Sequence, residues 1–490
     1  MVKMENKTMV IDNYEFKMSQ TYFDMGLKDT KVYFDVFFRK NPFEGGYTIF
    51  GGLDDIIDYI NNFKFESDDI EYLRSKKCYS EEFLKYLSNL RFTGDISSVE
   101  NGTVIFPNEP VITVRANVIE AQLIETALLA CFNHCSLVTT SAKRICESAG
   151  DIPVMEFGAR RARGIQSSIE VSKCAYVGGC CGTSNEEDGK KYGIPTLGTM
   201  AHSLVTFFDD EYEAFLQFAK SNPDNCTFLV DTYDTLRSGV PNAIKVADDY
   251  LTPNGIEFKG IRIDSGDLAY LSKEARKMLD EAGYTNAGIC LSNGLNEETI
   301  KSLIDQKTPF TSLGVGDNIS ASKERLGGVY KLVAIEKDGI IIPKIKVSED
   351  SVKTINPGYK KLYRFYDKDT GYALGDVMTL PQEIIPSDNY TLINPNERWK
   401  TSTISNYVVR ELRVPIFING EQVYMMPNIH EQKKYCESEF KTIYPEIKRR
   451  LNPHEYYVDL SEKLLELKDT LIEQHSFKGK ETYKARVRRK

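Results

Sequence analysis

The chain has 490 residues, of which 41% are hydrophobic, and its 62 lysines and arginines against 71 aspartates and glutamates leave a formal net charge of -9. This is enough apolar content for two or three packed domains, which argues against a disordered or fibrous protein. The acidic balance argues against a nucleic-acid partner, which demands a cationic surface, and the short basic end 484–490 is too small to reverse it.

The opening MVKMENKTMVIDNYEF has no apolar core of a signal peptide, and no apolar run reaches membrane-spanning length. Ten cysteines spread along so long a chain read as reduced thiols in a cytoplasmic protein, not as a disulfide framework. The first segment mixes helical stretches such as SEEFLKYLSNL, with Ser80 as N-cap, and a strand-like VIFPNEPVITVRA after the turn NGT, so residues 1–130 are predicted to form an α+β domain. A stretch beginning NVIEAQLIETALL and running to Gly150 is apolar on most faces and reads as a buried helix.

From Asp151 a unit repeats: a short apolar run, a polar or glycine-rich turn, then an amphipathic helix. The runs are IPVMEF, GIPTLG, TFLVDTYD, GIRIDSGD, AGICLSNG and TSLGVGDN. Parallel strands joined by crossover helices have this grammar, and residues 131–340 are therefore expected to form a closed or partly closed α/β barrel with ligand residues at the strand ends. One helix, DLAYLSKEARKMLDEAG, is expected to bury Leu268, Leu271, Ala275 and Leu279 and to stop at Gly283. Residues 341–490 read as strands (IIPKIKVSED, YKKLYRFYD, VVRELRVPIFINGEQVY) and two terminal helical stretches that fold back on the N-terminal domain.

The strand-end turns carry the chemistry. Arg160, Arg161 and Arg163 follow MEFG, His202 lies in GTMAHS, Asp231 and Asp234 in VDTYDT, Arg262, Asp264 and Asp267 in IRIDSGD, Asn293 in LSNG, and Gly314, Gly316 and Asp317 in LGVGDN. Guanidinium forks and free amides at strand-to-helix turns bind phosphate oxygens, and neighbouring carboxylates suit Mg²⁺, which keeps most of its waters. Together they fit a ligand with a monophosphate and a metal-bound pyrophosphate.

In order and spacing, MEFGARRARG, GTMAHS, VDTYDTLRSG, IRIDSGDL, LSNGLNEETI, LGVGDNISASK and LGGVYKLV resemble the nicotinate phosphoribosyltransferase family. DNYEFKMSQTYFDMG, PKIKVSED, PGYKKLYRF and NPHEYYVDLS extend the likeness from Tyr14 to Ser461. The resemblance implies the irregular α/β barrel of type II phosphoribosyltransferases, with an α+β domain built from the N-terminal and C-terminal parts. It implies joining of nicotinate to phosphoribosyl pyrophosphate, giving nicotinate mononucleotide and pyrophosphate, in NAD salvage by the Preiss-Handler route. It also implies Mg²⁺, ATP as co-substrate and the class of ligases.

By the same resemblance Tyr14 and Phe157 would stack on the pyridine ring, Arg160 and Arg262 would bind phosphates, and Asp264 would lie near ribose hydroxyls or the metal. The turn from Gly314 through Gly316 to Asp317 would cradle the 5′-phosphate. Asp231 and Asn293 would orient ribose and base, with Ser203 close by. ATP would phosphorylate His202, and hydrolysis of that phosphohistidine would drive synthesis. The chain has no GxxxxGK[ST] loop, so ATP would share the same phosphate pocket. A homodimer with sites at the subunit interface is implied too, Tyr14 reaching the neighbouring barrel; nothing in the sequence says which residues hold the metal.

Plainer roles compete at several positions. His202 set against a surface or core histidine is read as catalytic, Arg163 as structural and Asp267 as the cap of the following helix. CFNHC, with Cys131, His134 and Cys135, sits in the apolar helix without a second ligand pair and reads as core, while Cys180 and Cys181 receive no chemistry. A nicotinamide-specific transferase and a catalytically idle sensor of phosphoribosyl pyrophosphate remain as rival functions.

Overall fold

The computed structural model describes residues 7–347, 354–395 and 397–475. The end of PKIKVSED and the basic C-terminus therefore lie outside the described residues. The described residues divide into two compact units: those within 1–137, 324–427 and 438–490 form the first, and residues 138–323 with 428–437 the second.

The first unit is built on a seven-stranded antiparallel sheet that draws on both ends of the chain. Its order is Ile340–Pro343, Gly328–Lys337, Lys31–Phe38, Ile112–Asn117, Asp95–Ser98, Val414–Ile418 and Glu421–Gln422. Lys31–Phe38 is central because its residues are apolar or aromatic almost throughout, and all but the first are buried. Short helices cover the sheet, and Phe38, Phe50, Phe83, Ile112 and Phe132 belong to one apolar core. Ser80 caps the helix Glu81–Asn89 as expected, accepting from the Phe83 amide at 3.2 Å.

The sequence VIFPNEPVITVRA is not one strand. It breaks into Val104–Ile105 and Ile112–Asn117, since two prolines in FPNEPV cannot donate to a ladder. VVRELRVPIFINGEQVY likewise serves two sheets, with Tyr407–Glu411 pairing Lys361–Asp367 and Val414–Ile418 pairing Asp95–Ser98.

A buried ion pair anchors the four-stranded sheet of this unit. Arg364 and Asp376 face each other across adjacent strands in a bidentate pair of 2.8 and 2.6 Å, both side chains fully buried. Tyr456 donates to Asp376 at 2.8 Å, and Arg364 donates to the Val104 carbonyl at 2.8 Å.

The second unit contains six strands, all parallel, in the order Gly182–Thr183, Val154–Glu156, Ser312–Val315, Gly288–Ser292, Gly260–Ile263, Thr227–Leu229. Each strand lies beside its predecessor or successor in the chain, and the last also pairs with the first. That is the cyclic order of a barrel with one seam open, between Thr227–Leu229 and Gly182–Thr183. GIPTLG, expected as a strand, contributes only the bridge of Thr196 with Thr183, because Pro195 has no amide to extend the ladder.

In the helix Leu268–Glu281 the buried residues are Ala269, Ser272, Ala275 and Leu279. Leu268 and Leu271 are only half-buried, so the inward face is rotated by about one position from the apolar stripe read in sequence. Among the described residues no helix is long and apolar enough to cross a membrane.

Removing one partner of a fully buried ion pair strands the other charge. Asp376→Ala is expected to lower the unfolding free energy by about 3–5 kcal/mol in chemical denaturation; a loss below about 1 kcal/mol would show that the Arg364 charge is not sequestered.

Candidate active site

The carboxyl ends of the parallel strands carry the polar residues picked out in sequence, and their register fixes the arrangement. Arg262 lies opposite Leu229 on one side and Cys290 on the other, and Val315 lies opposite Glu156. The turns leaving those strands consequently rise side by side.

Arg262 projects from the strand Gly260–Ile263 with its side chain 12% exposed. Its Nε donates to Ser292 Oγ at 2.8 Å and its Nη2 to Asp264 Oδ1 at 2.8 Å. Ser292 Oγ in turn donates to the same Asp264 oxygen, closing a triangle. Asp231 Oδ2 accepts from the Asp264 amide at 3.0 Å and from Ser265 Oγ at 2.5 Å. Its second oxygen, Oδ1, is buried without a hydrogen-bond partner.

His202 begins the helix His202–Phe207 and is partly open to solvent. Its Nδ1 meets Thr232 Oγ1 at 3.0 Å, which turns Nε2 towards Asp231 Oδ1 at 3.9 Å and Asp264 Oδ2 at 4.0 Å. Both gaps are too long for direct hydrogen bonds, so a histidine and two carboxylates surround a place for a donor, a cation or a reacting group. Among the described residues no cluster of three or more His, Cys, Asp or Glu forms a metal site.

Phe157 follows Val154–Glu156, and the Arg262 guanidinium carbon lies 5.3 Å from its ring centroid. Gly314 is not in the turn but inside the strand Ser312–Val315, where a Cβ would come within 2.4 Å of Phe157 Cδ2. Its missing side chain makes room for that ring. Gly316 leads into the short helix Asp317–Ser320 and packs against the Phe157 carbonyl, 3.2 Å from the position of a Cβ.

Arg160 is exposed in the turn Ala159–Arg161. Arg161 pairs with Asp317 at 3.0 Å, and Arg163 donates to the Ser322 carbonyl at 3.3 Å. Asn293 is exposed with φ of 81°, followed by Gly294 at 65°, a left-handed pair that Asn and Gly tolerate best. Ser203 is exposed beside His202. Asp234 and Asp267 both cap helices: Asp234 accepts from Leu236 and Arg237 amides, Asp267 from Ala269 and Tyr270 amides. Tyr14 belongs to the first unit, on the helix Asn13–Asp24, and is 46% exposed.

Sequence reasoning missed four supporting residues: Ser292, Thr232, Ser265 and Glu156. Buried Glu156 accepts from the Gly158 amide, from Thr183 Oγ1 at 2.6 Å and from Ser172 Oγ at 3.1 Å, tying down the turn that carries Phe157. Burial pushes its carboxyl above the ordinary range despite those donors. The available signal was a polar residue as the last member of an otherwise apolar strand, in VMEF and CLSNG.

Two measurements check this geometry. Gly314→Val should overpack the Phe157 ring and cost about 1–3 kcal/mol of stability; an unchanged denaturation midpoint would place the ring elsewhere. Next to Tyr14, burial raises the Glu15 carboxyl from 4.5 to about 7, with Glu125 and Asp12 adding repulsion. In that window the folded chain keeps a proton that the unfolded chain has released, so stability falls as pH rises through it. Glu156 and other raised carboxyls share that window, so Glu15→Gln should make the fall shallower by the proton that Glu15 holds, and an unchanged slope would show that Glu15 takes no part in it.

Comparison with known proteins bears on the whole chain. Residues 9–133 match the nicotinate phosphoribosyltransferase (NAPRTase) N-terminal domain, residues 152–376 the NAPRTase family and residues 359–468 its C-terminal domain. A nicotinate phosphoribosyltransferase of Bacillus subtilis (strain 168) is 42% identical over 463 residues, covering 94% of each chain. One from Caenorhabditis elegans is 36% identical over 534 residues, covering 96% of this chain and 94% of its own. The crystal structure of human nicotinic acid phosphoribosyltransferase superposes with a TM-score of 0.84 at 27% identity, covering 94% of this chain and 99% of that one. With its irregular parallel α/β barrel and its α+β unit, the chain belongs to the nicotinate phosphoribosyltransferase family.

Proposed function

We propose that this enzyme of NAD biosynthesis joins nicotinate to phosphoribosyl pyrophosphate, and that ATP hydrolysis is coupled to the transfer through a phosphohistidine at His202, on the Preiss-Handler route. The observation that carries the reading is the linked set Arg262, Ser292, Asp264 and Asp231 facing His202 across gaps of 3.9 and 4.0 Å. In the transfer, the pyridine nitrogen forms a bond to the anomeric carbon while the bond from that carbon to pyrophosphate breaks. The ring nitrogen is nucleophilic at neutral pH, so the protein has to position the reactants and stabilise the leaving group.

Arg262 and the exposed Arg160 supply positive charge for phosphate oxygens. Arg262 is fixed in direction by Ser292 and Asp264, so little reorganisation is needed as charge develops. Phe157, packed over Gly314, offers one aromatic surface to the pyridine ring, and the half-exposed Tyr14 of the neighbouring subunit in the proposed homodimer is proposed as the other. Asn293 and Asp231 orient ribose and base, Ser203 lies beside His202, and Gly316 with Asp317 begins the turn proposed to meet the 5′-phosphate.

Mg²⁺ fits the donor set, because Asp231 Oδ1 is buried and unpartnered and Asp264 stands beside it. When bound it would neutralise pyrophosphate charge. Asp231 and Asp264 would hold it together with ligand oxygens and water. A homodimer with sites at the interface and a cytoplasmic location complete the proposal.

Incubation of the purified protein with nicotinate, phosphoribosyl pyrophosphate, Mg²⁺ and ATP should yield nicotinate mononucleotide, pyrophosphate, ADP and phosphate by chromatography. A higher kcat/KM for nicotinamide than for nicotinate would overturn the substrate assignment. His202→Ala should abolish stimulation by ATP while leaving slow basal transfer, and undiminished stimulation would remove His202 from the coupling.

A further inference from the structure

Outside the site, one pair of reactive groups has no role in the proposed chemistry. Cys146, near the end of the helix Glu125–Ala149, and Cys180, in the turn after the helix Ile165–Val177, bring their sulfurs to 4.0 Å. We propose that Cys146 and Cys180 form a redox modification site, a dithiol that low-molecular-weight disulfides convert to an intramolecular disulfide.

The backbone is arranged for such an approach. Gly179 has φ of +126°, and a Cβ there would lie 3.2 Å from Cys146 Cβ and 3.3 Å from its sulfur. The adjacent Cys181 has its amide bonded to the Val154 carbonyl at 2.8 Å as the chain enters the strand Gly182–Thr183. A disulfide between them requires the sulfurs to close from 4.0 Å to about 2 Å.

The two thiols are unequal. Cys146 is half-buried, whereas Cys180 is fully buried. The Cys180 thiol hydrogen-bonds to Cys146 and lowers its pKa, with Lys143 and Lys433 adding positive charge. Lys433 is fixed there by donating to the Cys180 carbonyl at 2.5 Å. Burial, and then Glu147, which pairs with Lys143 at 2.9 Å, work against the thiolate but do not reverse the shift. The same pairing, with burial, pushes Cys180 well up.

These environments assign the order of attack. Cys146 as thiolate attacks one sulfur of the reagent disulfide, forming a mixed disulfide and releasing one reagent thiolate. Cys180 then loses its proton to solvent, attacks Cys146 Sγ and releases the second reagent thiolate. Two cysteine thiols give up two electrons and two protons, and the reagent takes them up as two thiols. The new bond would tie the helix to the segment leading into Thr183, whose hydroxyl holds Glu156.

The test treats the full-length protein with oxidised glutathione, alkylates the remaining thiols, digests without reductant and reads the peptides by tandem mass spectrometry. The expected product is a Cys146–Cys180 linked peptide, lighter than the two free peptides by two hydrogens and lost on addition of dithiothreitol. Cys180→Ser should leave Cys146 carrying glutathione, and Cys181→Ser, which keeps both partners, should still give the link. Alkylation of both thiols in the treated wild type, a link from Cys146 to Cys181, or loss of the link in Cys181→Ser would overturn the proposal.

Discussion

The site depends on one constraint: charges placed at the tips of a buried parallel sheet must find partners. Arg262 meets it through Ser292 and Asp264, and Asp264 is in turn oriented by Asp231 through its own amide. The Ser292 and Asp231 contacts join neighbouring strands, so the sheet's register helps to fix the direction of the guanidinium. Full satisfaction would leave such a network inert. Here it stops one atom short, at the buried Asp231 Oδ1 facing His202, which leaves an acceptor for a ligand or cation at the strand ends.

Close packing reinforces the same region. Phe157 can sit between Arg262 and the strand Ser312–Val315 only because residue 314 has no side chain, and Glu156 beneath it holds the turn through three donors. An aromatic ring and a guanidinium fixed in this way lose little further freedom when a ligand arrives. The first unit solves a different problem. Its central strand pairs with a strand some three hundred residues later in the chain, Val32 opposite Ile335, so the antiparallel sheet is completed only by non-local contacts. Within it Arg364 and Asp376 show the opposite regime, a bidentate pair fully removed from water.

Much of this was legible in sequence because the parallel unit writes its own punctuation. Five apolar runs ended in turns with Arg, Asp, Asn or Gly, and those runs are strands. GIPTLG obeyed the same pattern and failed because proline removes the amide a strand would need. Arg262, Asp264, Asp231 and His202 do come together, whereas Gly314 is a packing residue in the strand and Asp234 and Asp267 cap helices. Ser292 and Thr232 were missed since a lone hydroxyl carries no pattern until its neighbours across the sheet are known. The strands Tyr407–Glu411 and Val414–Ile418 are legible as strands, but their distribution between two sheets depends on pairing at long range, which local propensity does not encode.

On the proposed function, the direction of Arg262, not merely its charge, would select the pyrophosphate ligand. Arg262→Lys keeps the charge and loses the planar fork that Ser292 and Asp264 orient. Calorimetric titration of wild type and Arg262→Lys with phosphoribosyl pyrophosphate and Mg²⁺ should show affinity weakened at least about tenfold, or 1.4 kcal/mol. Equal affinities in the two proteins would contradict the account.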